Sequence, residues 1–547
     1  MTPKTLRTTA WALVAGLTVG LVAGRAGAWG PRAERSIAAM AMQIIQSEHP
    51  NIFMPEGGGN FTNDVFRGAN DGIAVLGTTP MLTEIETLKT IEEQIQLLRD
   101  VLKFGPSSYF AYRMGVLSTL TANVMLPYGY AHGEAERNLQ QQVRGDIEQH
   151  LDEFRLTPGR RSVQQVSGIQ LYFKNLRPFQ TENLKIISDE YARGIGYNGF
   201  LRQAAPQYFQ EAVLAVGDVW HTVLASRPEV QRQPTAAERL TDYFVEEVSY
   251  LLKVTDNYYP ANRVYPNFRQ VNPGMAEPYE RLGDLYYEYG TEKNMQESVD
   301  RGVREWQVAY ELHGPTHQDV SRKLSNHYIR MGRMHLEEGQ LKGASNDRLP
   351  TAMVSFETAI KYDPTNRDAP GLIEETQRAA KERQDRLDTV LKVIASADQI
   401  KAEAERHIAN EDFGNAIMTY SQSLKFYQSV DDFFTDLYET AKKSMEDIQK
   451  AVTGAVSKIE DKANDAISDG DSAREGREFD VAINHYQTAI GILDQIPDAE
   501  DVVGTSAIDM KKKTVEQANK NIEDTKTEQL ALQQQQAELA QQGLPPQ

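Results

Sequence analysis

Cysteine is absent from all 547 residues, which removes disulfide frameworks, thiolate metal sites and cysteine nucleophiles together. Positive charge is scarce relative to negative: 58 Lys and Arg stand against 77 Asp and Glu, a formal charge of −19. That balance opposes unaided binding to nucleic acid or to an anionic membrane. After residue 28 no apolar run approaches the roughly 20 residues that span a bilayer. Strand-like alternation is missing as well. Residues 84 to 103 and 135 to 155 instead place apolar side chains three and four apart amid charge, the helical period. No phosphate-cradling loop with a lysine and no serine elbow occurs. Gly194-Ile195-Gly196-Tyr197-Asn198-Gly199 has the glycine spacing of a dinucleotide loop. It follows the charged helical run Leu184 to Arg193 rather than a strand, so it reads as a helix-ending turn.

What is present begins at the N-terminus. Lys4 and Arg7 precede an apolar stretch from Ala10 to Gly24 that ends in Ala26-Gly27-Ala28, the order of a cleaved secretory signal. About 15 apolar residues are too few for a comfortable membrane anchor, and no cysteine follows to carry a lipid. Cleavage after Ala28 would remove Lys4, Arg7 and Arg25 and no acid, taking the charge from −19 to −22. The expectation is a periplasmic or secreted protein without an integral membrane segment.

The residue exposed by that cleavage is Trp29, in Trp29-Gly30-Pro31-Arg32-Ala33-Glu34. This start resembles the zinc-dependent phospholipase C family, whose mature chains open with a zinc-binding tryptophan and place a histidine five residues on. Here that position is Glu34. Gly115 to Asn123 resembles the family helix that offers a histidine and an aspartate four residues apart, but Thr119 and Asn123 occupy the two positions. Gly59-Asn60-Phe61-Thr62-Asn63-Asp64 resembles the loop ending in a zinc-binding aspartate, and Asp64 keeps that side chain. The next family histidine, expected near Pro127 to Gly129, is missing; His132 could stand in as a displaced ligand, though an ordinary surface or turn histidine is the simpler reading. A zinc ion that activates water needs about three ligands and an open position. The resemblance therefore implies a helical domain with Trp29 and Asp64 as vestigial metal ligands and no assembled catalytic site. Residual zinc is the one cofactor it leaves open.

The second half carries repetition. Ala352, Phe356, Ala359 and Pro364 have the spacing of the second helix and exit turn of a tetratricopeptide repeat, with Gly332 in the preceding helix and Gly339 to Arg348 lengthening the turn. The pattern recurs as Ala416, Tyr420 and Ser423 with Ala404 twelve residues earlier, and as Ala482, Tyr486 and Ala489 with Gly470 at the same offset. A looser copy holds Leu282-Gly283 and Tyr286, then Gly302, Trp306, Ala309 and Pro315. Small residues let paired helices approach closely, and an aromatic fills the gap to the next repeat. A charged helix over 437 to 468 separates the last two units. Asp469 and Asp471 beside Gly470 lack the ligand series of a calcium loop.

The expected fold is all-α, a phospholipase C-like helical domain followed by tetratricopeptide-like hairpins. Its segments are a signal peptide (1–28), the phospholipase C-like domain (29–239), and an aromatic and proline-rich joint (240–275). Repeats follow (276–370), then a helical region with further repeats (371–500) and a polar, Gln-rich tail (501–547), expected to fray at Gln533 to Gln536 and in the closing Gln-Gln-Gly-Leu-Pro-Pro-Gln. Tyr243, Phe244, Tyr250, Tyr258, Tyr259, Tyr265 and Phe268 in the joint could form a ligand surface, though docking of the array is the simpler reading. The expected function is a non-enzymatic scaffold that binds a protein partner. The alternative is a divergent zinc-dependent phospholipase or phosphodiesterase.

Overall fold

The computed structural model describes residues 29–55, 59–72, 83–131, 133–154, 162–225, 234–314 and 317–541. The readings of the first 28 residues, His132 and Pro315 lie outside them. Among the described residues every regular element is helical, so the all-α expectation holds. None of these helices is long and apolar enough to cross a membrane. The chain divides into two compact units after His317.

The first unit contains α1 (Pro31–Ile45), α2 (Thr62–Asp71), α3 (Glu84–Val101), α4 (Ser108–Val124), α5 (Glu134–His150), α6 (Ile169–Leu176) and α7 (Pro178–Glu182). It continues with α8 (Leu184–Ala192), α9 (Phe200–Leu224), α10 (Ala237–Lys253), α11 (Tyr258–Val271), α12 (Ala276–Glu292) and α13 (Gln296–His313). Its centre is α4, buried at every position from Tyr109 to Val124. Neighbours cover it on every side, α1, α2, α3 and α9, so most of its positions are apolar and its few polar side chains, Arg113 among them, are buried with it. The approach of α2 is set by two glycines. A Cβ on Gly68 would strike the Tyr112 carbonyl, and one on Gly115 would strike the Val65 carbonyl. Local signals fix the helix starts: Thr83 and Glu86 form a reciprocal capping box on α3, and Ser107 accepts the Phe110 N–H at the head of α4.

The glycine-rich run after α8 is a helix end. Ile195 N–H returns to the Glu190 carbonyl across Gly194, whose φ is 76°, the six-to-one closure of a Schellman turn. The expected joint is two helices, α10 and α11. Tyr243, Phe244, Tyr250, Tyr258 and Phe268 are buried in them, while Tyr259 stays exposed. Pro266 lies inside α11 without ending it.

The second unit contains α14 (Gln318–Gln340), α15 (Arg348–Tyr362), α16 (Asp368–Ala409), α17 (Phe413–Gln428), α18 (Thr435–Glu475), α19 (Phe479–Leu493), α20 (Glu500–Val503) and α21 (Thr505–Gln541). Helices pack chiefly on their sequence neighbours, as in a repeat array. Two long helices each serve two cores. The first half of α16 supplies Ala369 to the α14–α15 core, and its second half supplies Val390, Ala397 and Ala404 to the next. Likewise α18 passes from that core to the α19 core, where Ile467 packs. The expected separating helix is thus part of the following hairpin. The expected insertion is also shorter, because α14 runs through Gly339 to Gln340.

The fraying expected at Gln533 to Gln536 is corrected to helix within α21, and residues 542–547 lie outside the described residues. Lys, Glu, Gln and Ala favour helix, and Ala518, Ile522 and Thr525 give α21 a buried stripe. Ile522 joins Ala482 and Tyr486 in one cluster, so α21 covers the last hairpin as a capping helix.

Candidate functional site

Trp29 is fully buried. Its indole N–H donates to the Ala122 carbonyl at 2.7 Å, and its ring meets Phe209 edge-on. Gly30 then adopts φ 96°, with Glu148 so close that a side chain there would collide, and Pro31 opens α1, where its missing N–H costs nothing. Glu148 of α5 accepts the Arg32 and Ala33 N–H groups, capping α1 from outside its own chain segment. Glu34, at the position of the family histidine, is 3% exposed and accepts the Trp29 N–H at 3.3 Å. Burial pushes its carboxyl up to about 7, opposed by hydrogen bonds from Trp29 and Gly30 and by Arg144.

The other position that the resemblance singles out, Asp64, is elsewhere. Asp64, in the first turn of α2, accepts the Tyr250 hydroxyl at 2.6 Å and faces Arg67 at 3.5 Å. Burial raises its pKa, and those two partners work against the rise. The Tyr250 ring packs at a tilt against Tyr112, ten residues before Ala122 on α4, about 15 Å along a helix. Trp29 and Asp64 therefore address opposite ends of α4. Thr119 donates its hydroxyl to the Ala69 carbonyl at 2.8 Å, and Asn123 is buried one turn later. Among the described residues no three His, Asp or Glu ligand atoms gather about either Trp29 or Asp64.

Asp64 belongs instead to a polar aromatic network that the sequence reading missed. Tyr112 donates to Asp71 at 2.9 Å, while Tyr109 and the buried Arg113 both donate to Glu246 at 2.8 Å. Arg113 also reaches Gln94 at 2.6 Å. Tyr109, Tyr112, Tyr243 and Tyr250 lie ring against ring, and Glu247 beside them is pushed up to about 7 by burial. The network ties α2, α3, α4 and α10 together, with partners up to 186 residues apart in sequence.

The repeat residues form a seam. A Cβ on Gly332 would lie 2.5 Å from the Phe356 ring, and one on Gly470 would lie 2.6 Å from the Tyr486 ring. Gly283 meets Trp306 in the same way, and Gly302 faces it across α12 and α13. The aromatic thus fills the gap over the glycine of its own hairpin, because only there is a side chain missing to make room for a ring. Ala352, Ala359, Ala404, Ala416, Ala482 and Ala489 are fully buried, and Tyr420 nearly so. Pro364 is exposed in the turn after α15.

Three hairpins close with one and the same three-residue turn. Its middle residue is left-handed: Asn294 at φ 53°, Glu411 at 57° and Arg477 at 64°. In each, the next N–H returns to the carbonyl five residues earlier: Met295 to Gly290, Asp412 to His407, and Glu478 to Ala473, at 2.7 to 2.9 Å. The seam also fixes what faces outward. Val354 and Met418, each two residues beyond the first alanine of its helix, are 61% and 50% exposed. A search of protein-family models, curated proteins and solved structures found no match to this chain.

Proposed function

We propose that this protein is an exported, non-catalytic scaffold whose helical hairpins bind a protein partner, with the phospholipase C-like first domain as a rigid platform. The recurrence of one glycine–aromatic seam and one turn carries this reading. Stacked hairpins offer a continuous, repetitive surface suited to holding an extended partner, and Val354 and Met418 place exposed apolar groups at corresponding positions on it. The hydrogen bonds that occupy Glu34, Thr119 and Asp64 support the loss of metal chemistry at the vestigial positions. Retention of Trp29 and Asp64 favours the second reading, a divergent zinc-dependent phospholipase or phosphodiesterase.

Val354→Asp combined with Met418→Asp tests the first reading. Both side chains are exposed, so folding should survive, while capture of the partner from envelope extract by the full chain should fall at least about tenfold, the loss of one or two hot-spot contacts. Unchanged capture would reject this face. Zinc bound at the stoichiometry of a catalytic site, with phosphodiesterase activity lost in Asp64→Ala, would establish the second reading instead.

A further inference from the structure

Glu280, His313 and His317 come together at the end of the first unit, and none of them belongs to the phospholipase C-like resemblance. Glu280 stands in the second turn of α12, and His313 is the last residue of α13. Gly314 follows at φ 75° with its N–H on the Tyr310 carbonyl, which ends the helix in the left-handed conformation that glycine adopts without strain. The chain turns back there. His317 donates its N–H to the Gly314 carbonyl at 3.4 Å, and its ring stacks on His313 with centroids 4.1 Å apart and planes within 10°. Nδ1 of His317 lies 4.0 Å from a Glu280 carboxylate oxygen. One ligand atom from each of the three residues lies within 4.8 Å of the other two.

We propose that Glu280, His313 and His317 form a binding site for a divalent transition cation of the zinc type. Ligands about 2.0–2.1 Å from a tetrahedral ion sit about 3.3 Å from one another, so the three atoms need to close by no more than about 1.5 Å. His313 is exposed and its ring is able to rotate into place. The donor set selects the ion. Two imidazole nitrogens and one carboxylate suit zinc and its neighbours, whereas calcium and magnesium require oxygen ligands nearly throughout. Three protein ligands leave a fourth position for water. The ion would clip α12 to the segment leaving α13, so its effect is on the order of that chain reversal. His313-Gly314-Pro315-Thr316-His317 carries the four-residue histidine spacing, but the glycine and proline within it hide the pairing from any helical reading, and Glu280 is 33 residues away.

The test is a zinc titration of the purified, chelator-stripped full chain against a chromophoric competitor, followed by equilibrium dialysis for stoichiometry. One site is expected. Its affinity should fall at least about tenfold in each of His313→Ala, His317→Ala and Glu280→Gln, while His49→Ala with His221→Ala, which removes the other close histidine pair, should leave it unchanged. His313→Ala guards against a folding artefact, because this ring is exposed. Zinc binding that survives the His313→Ala, His317→Ala double variant would overturn the proposal, as would magnesium or calcium binding with comparable affinity. Absence of any site tighter than that of the double variant would overturn it too.

Discussion

Replacing Gly470 with alanine tests the seam in the last hairpin of the second unit. In the middle of a helix the change should by itself add about 1 kcal/mol, the difference in propensity. At Gly470 the new Cβ would stand 2.6, 2.8 and 3.1 Å from three atoms of the Tyr486 ring, where ordinary carbon contacts need about 3.5–4 Å. The ring must therefore retreat by about 1 Å. Tyr486 is fully buried, its hydroxyl donates to Asp471 at 2.6 Å, and Ile522 of α21 closes the far side. Overpacking of this kind costs about 1–3 kcal/mol, and weakening a hydrogen bond to a carboxylate adds about 1–2 kcal/mol. The net expectation is a destabilisation of about 1–4 kcal/mol. Gly454, in the same helix α18 with nothing within 4 Å of its missing Cβ, is the control, and Gly454→Ala should stabilise by about 1 kcal/mol. Amide exchange over α19 is the assay, because it reads local stability in a chain of two units where one global transition is not assured. Protection there should fall about 10- to 100-fold in Gly470→Ala and should not fall in Gly454→Ala. Equal protection in the two variants would refute the seam.

Glu411→Gly and Arg477→Gly should each stabilise the second unit by about 1 kcal/mol in denaturant titration, since both residues hold a left-handed conformation that disfavours a Cβ. Destabilisation would mean their side chains carry contacts that outweigh the strain. Glu34 has a folded pKa of about 7 against a reference of 4.5, so the folded state is the better proton binder. Stability should then decline as pH rises from about 4.5 to about 7 and stay level above, by up to about 3 kcal/mol. Glu247, pushed up to about 7 in the same way, adds a decline over the same window, so Glu34→Gln should remove only the Glu34 share in a pH series of melts on the uncleaved chain. Cleavage after Ala28 would convert the Trp29 N–H into an ammonium 3.3 Å from Glu34, which pulls the carboxyl back down and should remove the same share. N-terminal sequencing of exported protein should accordingly read Trp-Gly-Pro.

The legible parts of this molecule are local. Helix periods at 84 to 103 and 135 to 155 are covered closely by α3 and α5 with their short 3-10 extensions, and glycines paired with aromatics at fixed intervals mark the seam. What stayed hidden depends on distant partners or on residues outside their usual roles. The hairpin turns escape notice because glutamate and arginine sit where glycine is customary at Glu411 and Arg477. The Gly68–Gly115 crossing leaves no periodic trace, since each glycine answers a carbonyl on another helix. Asp64 reads as a metal ligand in isolation, yet its partner Tyr250 is 186 residues on, and no local pattern announces that bond. In α21 the glutamines that suggest an unstructured tail are good helix formers, and the sparse stripe of Ala518, Ile522 and Thr525 suffices once α19 is there to cover it.

The central proposal, a hairpin array that holds a protein partner, is tested most directly by site-specific photo-crosslinking in the producing cells. A photoreactive residue is placed in the full chain at Val354 or Met418 on the hairpins, and at exposed Leu171 in the first unit as control. The expected result is one dominant crosslinked protein shared by the Val354 and Met418 positions and absent from Leu171. Crosslinks of equal strength and identity at all three positions, or none at Val354 and Met418, would contradict it.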